Sequence, residues 1–567
     1  MLLVFGPRSA TYDFGPGHPL TPRRFGPGID LLRAVGAEPG LAPEPAPDRD
    51  LLLCHGRSYL EVVKRFSISP FGPNEAGIGE GGDDPPFAGM HGAGAMVAGG
   101  TLRALEAILR GDEEHAFHPG GGLHHAMRGR ASGFCIYNDP ALAIARARIE
   151  GLRVLYVDLD VHHGDGVQAI HWDDPGVLTL SFHESGRYLF PGTGGVGELG
   201  DGAAAGTAVN VPLEPGTGER AWLDAVRTLV PELAAAFGPD LIVSQHGADS
   251  HAWDPLAHLR VTTTAMGEAA RLIDAVAHRY SDGRWLATGG GGYDAYRVVP
   301  RTWSHVWLAG AHREAPVLTP AAWQDRWAGE AARFGQAPLP PRFDDEANAG
   351  LAVDAGQLAA EARSFETTAL VRGMVVPRLV REARDRGWWD PLAGTRQAPR
   401  VQTAAAEEDP VILHGVTADM WAPLTLAHQV VAPSDPTSAH WLILGAIRVG
   451  ALVSAAVVGG QAVGVAVTGL AGPGRERDLL ALGVAPAFRR RGVGSNLLTG
   501  SAADAAEIAV GERDPFDPLP IEVRRDISRR LLRRAGFTVD EVRVASRGLD
   551  HATIRGTRGR SGSARTR

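Results

Sequence analysis

Acidic and imidazole side chains follow two apolar runs of the sequence at spacings that suit a bound metal ion. The run 152–157 leads into Asp158, Asp160 and His162, each two positions after the last. Side chains alternate between the two faces of extended backbone, so residues at this spacing project to the same side. A second apolar run, 241–246, is followed by Gly-Ala-Asp249 and provides a further carboxylate.

Asp160, His162 and Asp249 form a candidate ligand set with two carboxylates, one imidazole and no thiolate. Such a set suits a catalytic zinc ion that keeps one position open, because zinc lowers the pKa of bound water to about 7 and makes it a usable nucleophile. Each residue taken alone is also compatible with a turn or a helix cap. Their joint occurrence after two separate runs favours the metal site.

A glycine loop carries a second candidate group, the pair His124 and His125 in the segment His-Pro-Gly-Gly-Gly-Leu-His-His. Amide hydrolysis needs a base that activates water and an acid that protonates the leaving amine, and one histidine of near-neutral pKa can do both in turn. Asp158 and Asp165 are the remaining acids of the central motif and are candidates to orient the two rings. A hydrogen-bonded surface loop is the alternative for the histidine pair alone.

Tyr293 follows four consecutive glycines, 289–292, at the end of another apolar run. Glycine lets backbone pass close to a ligand, so the tyrosine hydroxyl can enter the same pocket. A phenol aimed at an acetyl oxygen would stabilise the negative charge that develops there during hydrolysis. As an isolated feature, a glycine run before a tyrosine is more often a loop.

Short apolar runs between helical segments must position these groups. The runs 152–160, 177–182, 241–246 and 284–288 are typical of buried strands in a parallel sheet, which predicts an α/β fold for residues 1 to about 315. Ligands bind beyond the carboxyl ends of the strands in such sheets, and the polar clusters lie at those ends. Residues 361–386 have helical composition and are predicted to end the first domain.

Length and composition limit the class of protein. A chain of 567 residues predicts two or three domains, and 44% hydrophobic with 21% charged residues is typical of a globular protein. The net charge of −9 disfavours nucleic-acid binding across the whole surface. The two cysteines, Cys54 and Cys135, are too few for a disulfide framework or a thiolate zinc site. No apolar run is long enough to cross a bilayer, so we expect a cytoplasmic protein without membrane contact.

The sequence from about residue 411 follows a different pattern. Segments 452–458 and 461–470 are predicted to form a hairpin through two glycines, and 478–484 a third strand, before a helix from about Ser495. The loop between that strand and that helix is basic and glycine-containing, and its backbone N–H groups could bind a pyrophosphate. A basic turn that caps a helix is the alternative.

Six motifs resemble the histone deacetylase family in order and spacing: HPGGGLHHA, SGFCIYNDPALA, YVDLDVHHGDGVQ, LSFHESGRYLFPGTG, QHGADSHAWDPL and GGGGY. The segments GDDPPFAGMHGAGAMVAGGTL and FGPGHPLTPRR are most similar to its bacterial acetoin-utilisation branch. The resemblance covers about residues 1–385. It implies an arginase/deacetylase-type α/β fold, in which helices flank a parallel sheet.

The resemblance also implies roles for individual residues. It assigns metal binding, by Zn²⁺ or Fe²⁺, to Asp160, His162 and Asp249. It implies that His125, oriented by Asp165, acts as base and then as acid. His124, oriented by Asp158, becomes its electrostatic partner, and Tyr293 polarises the acetyl carbonyl.

Further positions follow from the same resemblance. Phe134 and Phe190 match the apolar walls of the substrate channel, and Asp83 resembles the acid at its rim, although the sequence around Asp83 differs from the family pattern. A structural K⁺ site is implied at Asp158 and Ser181. The arginase-type alternative holds two manganese ions and needs an additional aspartate near Asp249, where this sequence has alanine and glycine, so one catalytic metal ion is expected.

The C-terminal region resembles the GNAT family of N-acetyltransferases. The resemblance rests on the segment Val-Ala-Pro-Ala-Phe-Arg-Arg-Arg-Gly-Val-Gly and on the later Arg-Arg-Ala-Gly-Phe. It implies an α+β domain that binds acetyl-CoA through Val484, Arg489, Arg490, Arg491, Gly492, Val493 and Gly494. Leu532 occupies the position where many members carry a tyrosine general acid, so both a transferase and a non-catalytic acetyl-CoA sensor are open interpretations.

The predicted organisation is a zinc-dependent deacetylase domain at 1–385, a linker at 386–410, a GNAT-like domain at 411–550 and a disordered basic tail at 551–567. The predicted function is hydrolysis of acetyl-lysine in acetylated proteins, with acetyl-CoA synthetase as the partner that the acetoin-utilisation branch suggests. The alternative is an amidohydrolase for small acetylated amines of the acetylpolyamine type.

Overall fold

A computed structural model describes the chain in the ranges 1–345, 353–386, 410–414, 416–421, 425–426, 443, 447, 451–458, 461–469, 478–484, 497, 505–510, 538–546 and 549–557. The chain divides into two compact units, Met1–Pro399 and Arg400–Arg567. Each unit contains its own sheet.

The first unit is built on an eight-stranded sheet in which every pair of neighbouring strands is parallel. Its strands are β1 (Leu2–Val4), β2 (Pro39–Leu41), β3 (His115–His118), β4 (Val154–Asp158), β5 (Val177–Glu184), β6 (Ala208–Leu213), β7 (Leu241–Gln245) and β8 (Trp285–Thr288). Their order across the sheet is β2-β1-β3-β8-β7-β4-β5-β6. The predicted parallel α/β architecture is confirmed.

Helices connect the strands and cover both faces of this sheet. They are α1 (Phe25–Ala34), α2 (Asp48–Leu51), α3 (Arg57–Ile68), α4 (Met90–Arg110), α5 (Asp139–Ile149), α6 (Asp165–Ile170), α7 (Glu219–Phe237), α8 (Thr263–Tyr280), α9 (Val299–Gly310), α10 (Ala321–Arg333) and α11 (Ala355–Asp385). Two large apolar clusters result, one with α7, α8, α9 and α11 and the other with α3, α4 and α5. The central strands β4 and β7 are buried along their whole length, because helices cover both sides of them.

The strand order explains why distant sequence motifs meet. In register, Asp158 at the end of β4 is paired with Gln245 at the end of β7 and with Ser181 on β5. Thr288 at the end of β8 is paired with both Gln245 and His118. The segments that follow β3, β4, β7 and β8 therefore emerge at one edge of the sheet, where the four polar motifs lie together.

The second unit contains a mixed sheet with the order β15-β16-β14-β13-β12-β11-β9, and β10 pairs with β12. Its elements are β9 (Val411–His414), α12 (Ala418–Trp421), β10 (Thr425–Leu426), β11 (Leu452–Val458), β12 (Gln461–Thr468), β13 (Asp478–Val484), β14 (Ala505–Val510), β15 (Thr538–Ser546) and β16 (Leu549–Thr557). Strands β11 and β12 pair antiparallel, as predicted for the hairpin. Strand β13 runs antiparallel to β12 and parallel to β14, whose register joins Asp478 to Ala505 and Leu479 to Ala506.

The start of the predicted basic tail requires a correction. Residues 551–557 belong to β16, which pairs antiparallel with β14 and with β15. The apolar and β-branched residues Leu549, Thr553 and Ile554 suit a strand, and the arginines nearby hid that pattern in the sequence. Residues 558–567 lie outside the described residues, as does the predicted linker between Arg386 and Pro410.

No helix within the described ranges combines the length and apolar character that crossing a bilayer requires.

Candidate active site

Asp160, His162 and Asp249 converge at the carboxyl edge of the first sheet. The Nδ1 atom of His162 lies 3.1 Å from Asp160 Oδ1 and 3.3 Å from Asp249 Oδ2, and all three side chains are buried. One ligand atom from each lies within 4.8 Å of the other two. The structure thus brings together the three residues predicted to bind the metal, although Asp249 is nearly 90 positions from the other two.

Backbone and side-chain donors hold the two carboxylates in place. Asp160 Oδ2 accepts hydrogen bonds from Gln245 Nε2 at 2.7 Å and from the N–H of Gly291 at 2.8 Å. Asp249 Oδ1 accepts from the N–H of Val161 at 2.9 Å. Asp249 Oδ2, however, is buried without a hydrogen bond.

That orphaned oxygen and the space beside it suit a cation. A buried carboxylate oxygen without a donor is costly, and a divalent ion would satisfy it. A Cβ atom at position 291 would lie 1.8 Å from Asp249 Oδ2 and 2.9 Å from Asp160 Oδ2, so the glycine keeps this space clear. The donor set of two carboxylates and one imidazole, without a thiolate, fits zinc with an open position.

The charges of this cluster are strongly perturbed. Burial and the neighbouring Asp160 carboxylate raise the pKa of Asp249 to about 6. Burial alone lowers the pKa of His162, but the carboxylates of Asp160 and Asp249 raise it to about 10. At neutral pH the cluster therefore holds one proton on the His162 ring, and a bound divalent cation would take the place of that proton.

The histidine pair lies beside the cluster, and each ring has its own carboxylate. His124 Nδ1 is 2.7 Å from Asp158 Oδ2, and His125 Nδ1 is 2.7 Å from Asp165 Oδ1. Both rings are buried, and their centroids are 4.0 Å apart. Since Nδ1 of His125 is held by Asp165, proton transfer falls to its Nε2.

The environment separates the charge states of the two rings. Burial opposes the charge of His124, but Asp158 and Asp160 outweigh it and raise its pKa to about 9. Burial and the adjacent His124 cation lower the pKa of His125 to about 4. At neutral pH His124 is therefore protonated and His125 is neutral, which makes His125 the ring that can accept a proton.

Tyr293 borders the same pocket. Its backbone is fixed by Asp254, whose Oδ2 accepts from the Tyr293 N–H at 2.8 Å, and by Gln336, whose Nε2 donates to its carbonyl at 2.9 Å. Burial and the nearby carboxylate of Asp249 raise the pKa of the phenol well above its usual value. The hydroxyl therefore keeps its proton and can act as a hydrogen-bond donor.

Two phenylalanines flank the pocket on different sides. The Phe134 ring packs edge-on against Tyr293 with centroids 6.0 Å apart, and the Phe190 ring packs against His125 at 5.0 Å. A side chain at Gly133 would collide with His125 and Phe190, because its Cβ would lie 2.5 Å from His125 Cδ2 and 2.8 Å from Phe190 Cε1. The predicted channel residues thus border the catalytic groups.

The remaining predicted positions lie farther out. Asp83 is exposed, and its carbonyl is 3.3 Å from His18 Nε2, while the His18 ring packs against Phe134 at 4.5 Å. This places Asp83 near the outer end of the pocket. Ser181 is paired with Asp158 between β4 and β5, as a shared K⁺ site requires, and its hydroxyl lies 2.8 Å from His183 Nδ1.

Several residues of the site were not identified from the sequence. Asp139 accepts from the backbone N–H groups of Gly122 and Leu123 and from the Thr101 hydroxyl, and so fixes the glycine loop that carries the histidine pair. Its position in the first turn of α5 gave no signal of this role, since acids are common at helix N-termini. Arg24 is buried and donates to the Gly290 carbonyl at 2.7 Å, and no local pattern indicated it.

In the second unit, Val484 ends β13 and is paired with Gly464 on β12. Leu532 lies outside the described residues. So do the other residues predicted to bind acetyl-CoA, which are Arg489, Arg490, Arg491, Gly492, Val493 and Gly494.

Comparison with known proteins adds independent findings. The model of the histone deacetylase domain matches residues 18–309, and the model of the acetyltransferase (GNAT) family matches residues 419–537. The acetoin utilization protein AcuC of Bacillus subtilis is 44% identical over 347 residues, which cover 57% of this chain and 89% of that protein. The protein of the same name from Staphylococcus xylosus is 36% identical over 350 residues, with 60% and 90% covered.

Two solved structures share the fold of the first unit. A crystal structure of an HDAC homolog complexed with SAHA has a TM-score of 0.56 and 27% identity, covering 64% of this chain and 99% of that one. A crystal structure of an HDAC homolog from Aquifex aeolicus has the same TM-score and coverage with 26% identity.

Proposed function

The chain belongs to the histone deacetylase family, and from that premise we propose that its first unit removes acetyl groups from lysine side chains of proteins with the help of a zinc ion. The chain is a deacetylase of the acetoin-utilisation type with a C-terminal domain of the GNAT family. The observation that supports metal dependence most directly is the convergence of Asp160, His162 and Asp249 around an unsatisfied carboxylate oxygen.

Asp160, His162 and Asp249 would hold the ion, and the other roles follow from geometry and charge. When bound, zinc supplies positive charge that polarises the acetyl oxygen and lowers the pKa of a nearby water. His125, neutral at neutral pH, accepts the proton of the attacking water at Nε2 and later delivers it to the leaving amine. Asp165 keeps the His125 ring oriented and stabilises it while it is protonated.

Two further groups stabilise charge during the reaction. Protonated His124, held by Asp158, places a positive charge 4.0 Å from the His125 ring, measured between ring centroids. The Tyr293 hydroxyl donates to the acetyl oxygen as negative charge develops on it. Phe134 and Phe190 limit access of bulk water and leave an apolar passage for the methylene chain of a lysine.

The position of Asp83 and His18 at the outer end of the pocket favours a protein substrate over a small acetylated amine. The backbone carbonyl of the exposed Asp83 lies 3.3 Å from His18 Nε2, and the His18 ring packs against Phe134, so residue 83 lies near the outer end of the passage, where its side chain could meet a peptide backbone. We propose a metabolic enzyme such as acetyl-CoA synthetase as the protein substrate.

For the C-terminal domain we propose acetyl-CoA binding through the loop that follows Val484. Its match to the acetyltransferase family supports binding. Calorimetry with acetyl-CoA on the parent chain and on Arg490→Ala tests this. Binding that is lost in the variant agrees with the proposal, and unaltered affinity contradicts it. Transfer of labelled acetyl to an acceptor separates a transferase from a sensor.

The central experiment compares acetyl-lysine peptides with acetylputrescine as substrates of the full chain, with and without a chelator. We expect peptide turnover that the chelator abolishes and that Zn²⁺ restores, and that is absent in His125→Ala. Faster turnover of acetylputrescine than of every peptide would establish the small-amine alternative. An acetylated proteome read by mass spectrometry then identifies the protein sites that lose acetyl groups.

A further inference from the structure

A second cluster of metal-ligand residues lies in the first unit, away from the catalytic pocket. It consists of His115, Asp274, His278 and His312, whose ligand atoms all lie within 4.8 Å of one another. His115 begins β3, whereas the catalytic histidines follow the other end of that strand. The cluster therefore sits at the amino edge of the sheet, on the side opposite the active site.

The four ligand atoms have the spacing of a tetrahedral site. The Nε2 atom of His278 lies 2.8 Å from Nε2 of His115 and 3.1 Å from Nε2 of His312. Asp274 Oδ1 lies 3.3, 3.5 and 3.2 Å from the Nε2 atoms of His115, His278 and His312. Four ligands around zinc at its usual bond lengths are separated by roughly 3.3 Å.

Hydrogen bonds satisfy this cluster poorly. Three of the contacts have hydrogen-bond geometry, and two of them share the single proton or lone pair of His278 Nε2. Two neutral rings whose Nε2 atoms both carry protons would also repel one another. A cation at the centre lets every nitrogen present a lone pair inward and removes the conflict.

The surroundings favour a metal ion over an exposed polar cluster. The side chains of His115, His278 and Asp274 are 3%, 8% and 9% exposed, while His312 is 20% exposed and leaves one side open to solvent. Asp274 and His278 are four positions apart on α8 and therefore share one helix face.

The backbone at His312 is a separate indication. Helix α9 ends at Gly310, and His312 adopts φ 54° just after it, a left-handed conformation that usually requires glycine. A histidine held there is strained, because its Cβ crowds the backbone in this conformation. This conformation is the one that brings the His312 ring to Asp274.

We propose that His115, Asp274, His278 and His312 form a second, structural binding site for a divalent transition metal of the zinc class. Three imidazoles and one carboxylate are ligands that zinc prefers. The ion would join the start of β3, helix α8 and the segment after α9, three parts of the chain that are far apart in sequence. Its role is to stabilise the fold, because a site formed only in the folded chain couples metal binding to folding.

Metal stoichiometry tests the proposal. The full chain, prepared without a histidine tag, is stripped with chelator, reloaded with Zn²⁺, desalted and analysed by mass spectrometry for bound metal. We expect two zinc ions per chain in the parent, one in His162→Ala and one in His278→Gln. One zinc ion in the parent and none in His162→Ala would overturn the second site. No zinc in His278→Gln together with one zinc ion in His162→Ala would instead overturn the catalytic site.

His312→Gly keeps the test decisive if His278→Gln does not fold. Glycine relieves the left-handed backbone, so the metal-free variant should melt at or above the temperature of the metal-free parent while it binds one zinc ion fewer. The control is Ala76→Gly, which relieves φ 52° at a distant position and should retain both ions. Zinc should raise the melting temperature of the catalytic variant His162→Ala, and it should not do so in the double variant His162→Ala/His312→Gly. Equal zinc-induced shifts in the single and the double variant would contradict the second site.

Discussion

A Cβ atom on Gly291 would lie 1.8 Å from Oδ2 of Asp249, the carboxylate oxygen that makes no hydrogen bond. We expect Gly291→Ala to displace Asp249 from His162 while the rest of the sheet remains folded. Metal affinity should fall about 10–100-fold, the loss typical when the surroundings of a ligand are disturbed. Zinc titration with a competing chelator measures this, and the deacetylase rate at limiting zinc should fall in parallel.

The control for this change is Gly329→Ala, because position 329 on α10 has no neighbour within 4 Å of an added Cβ. That variant should bind zinc and turn over substrate like the parent. Parent-like zinc affinity in Gly291→Ala would show that Asp249 is not a ligand or that the site expands freely.

The Tyr293 hydroxyl is predicted to act on the transition state rather than on the metal. Tyr293→Phe removes one donor from the position where negative charge develops, and kcat should fall by roughly 10²–10³. Zinc content should remain that of the parent, since Tyr293 packs beside the ligands without being one of them. A kcat within about twofold of the parent would remove Tyr293 from the mechanism.

Variants of His125 and Asp165 should differ in their effects, because His125 transfers the proton and Asp165 positions the His125 ring. His125→Ala removes the proton acceptor and should lower kcat by about 10²–10⁴, with zinc retained. Asp165→Asn leaves the ring but replaces the carboxylate 2.7 Å from its Nδ1, so a smaller loss is expected, together with a shifted acid limb of the pH–rate profile. An Asp165→Asn enzyme as slow as His125→Ala with an unshifted profile would contradict this division.

The sequence was sufficient for the parts of the site that depend on local spacing. Asp158, Asp160 and His162 alternate along one strand end, and this period is visible without coordinates. That Asp249 joins them depends on β7 lying next to β4, a topological fact that the motif order could only suggest. The family resemblance made that topology an expectation.

Other functional residues could not be predicted from the sequence, because their roles depend on contacts between distant parts of the chain. Nothing near Arg24 indicates that its guanidinium is buried against Gly290. Asp274 and His278 resemble an ordinary polar pair on a helix, and their two histidine partners lie on different elements more than 30 positions away. The strand of residues 549–557 was hidden for a related reason, since charge density outweighed the β-branched pattern in the sequence.

Stability should depend on pH through Asp139, which holds the glycine loop. Burial raises the pKa of this carboxyl to about 6, although the Thr101 hydroxyl and the loop N–H groups oppose the rise. In the unfolded chain its pKa is about 3.9, so the folded chain binds the proton more tightly. The stability that this proton contributes is therefore fully present below pH about 4 and is lost as pH rises through about 6. The free energy of unfolding falls by roughly 3 kcal/mol at most over this range.

Asp139→Asn has no such proton to lose. The melting temperature of the variant should therefore rise relative to that of the parent from pH 4.5 to 6.5, and the difference between them should be constant above about pH 7. Asp174→Asn is the matched control, because its hydrogen bonds with Arg148 outweigh burial and hold the pKa of Asp174 below its usual value, so its difference should stay flat over this range. A flat Asp139→Asn difference would mean that this carboxylate is ionised throughout, and that its three donors stabilise it more than burial opposes it.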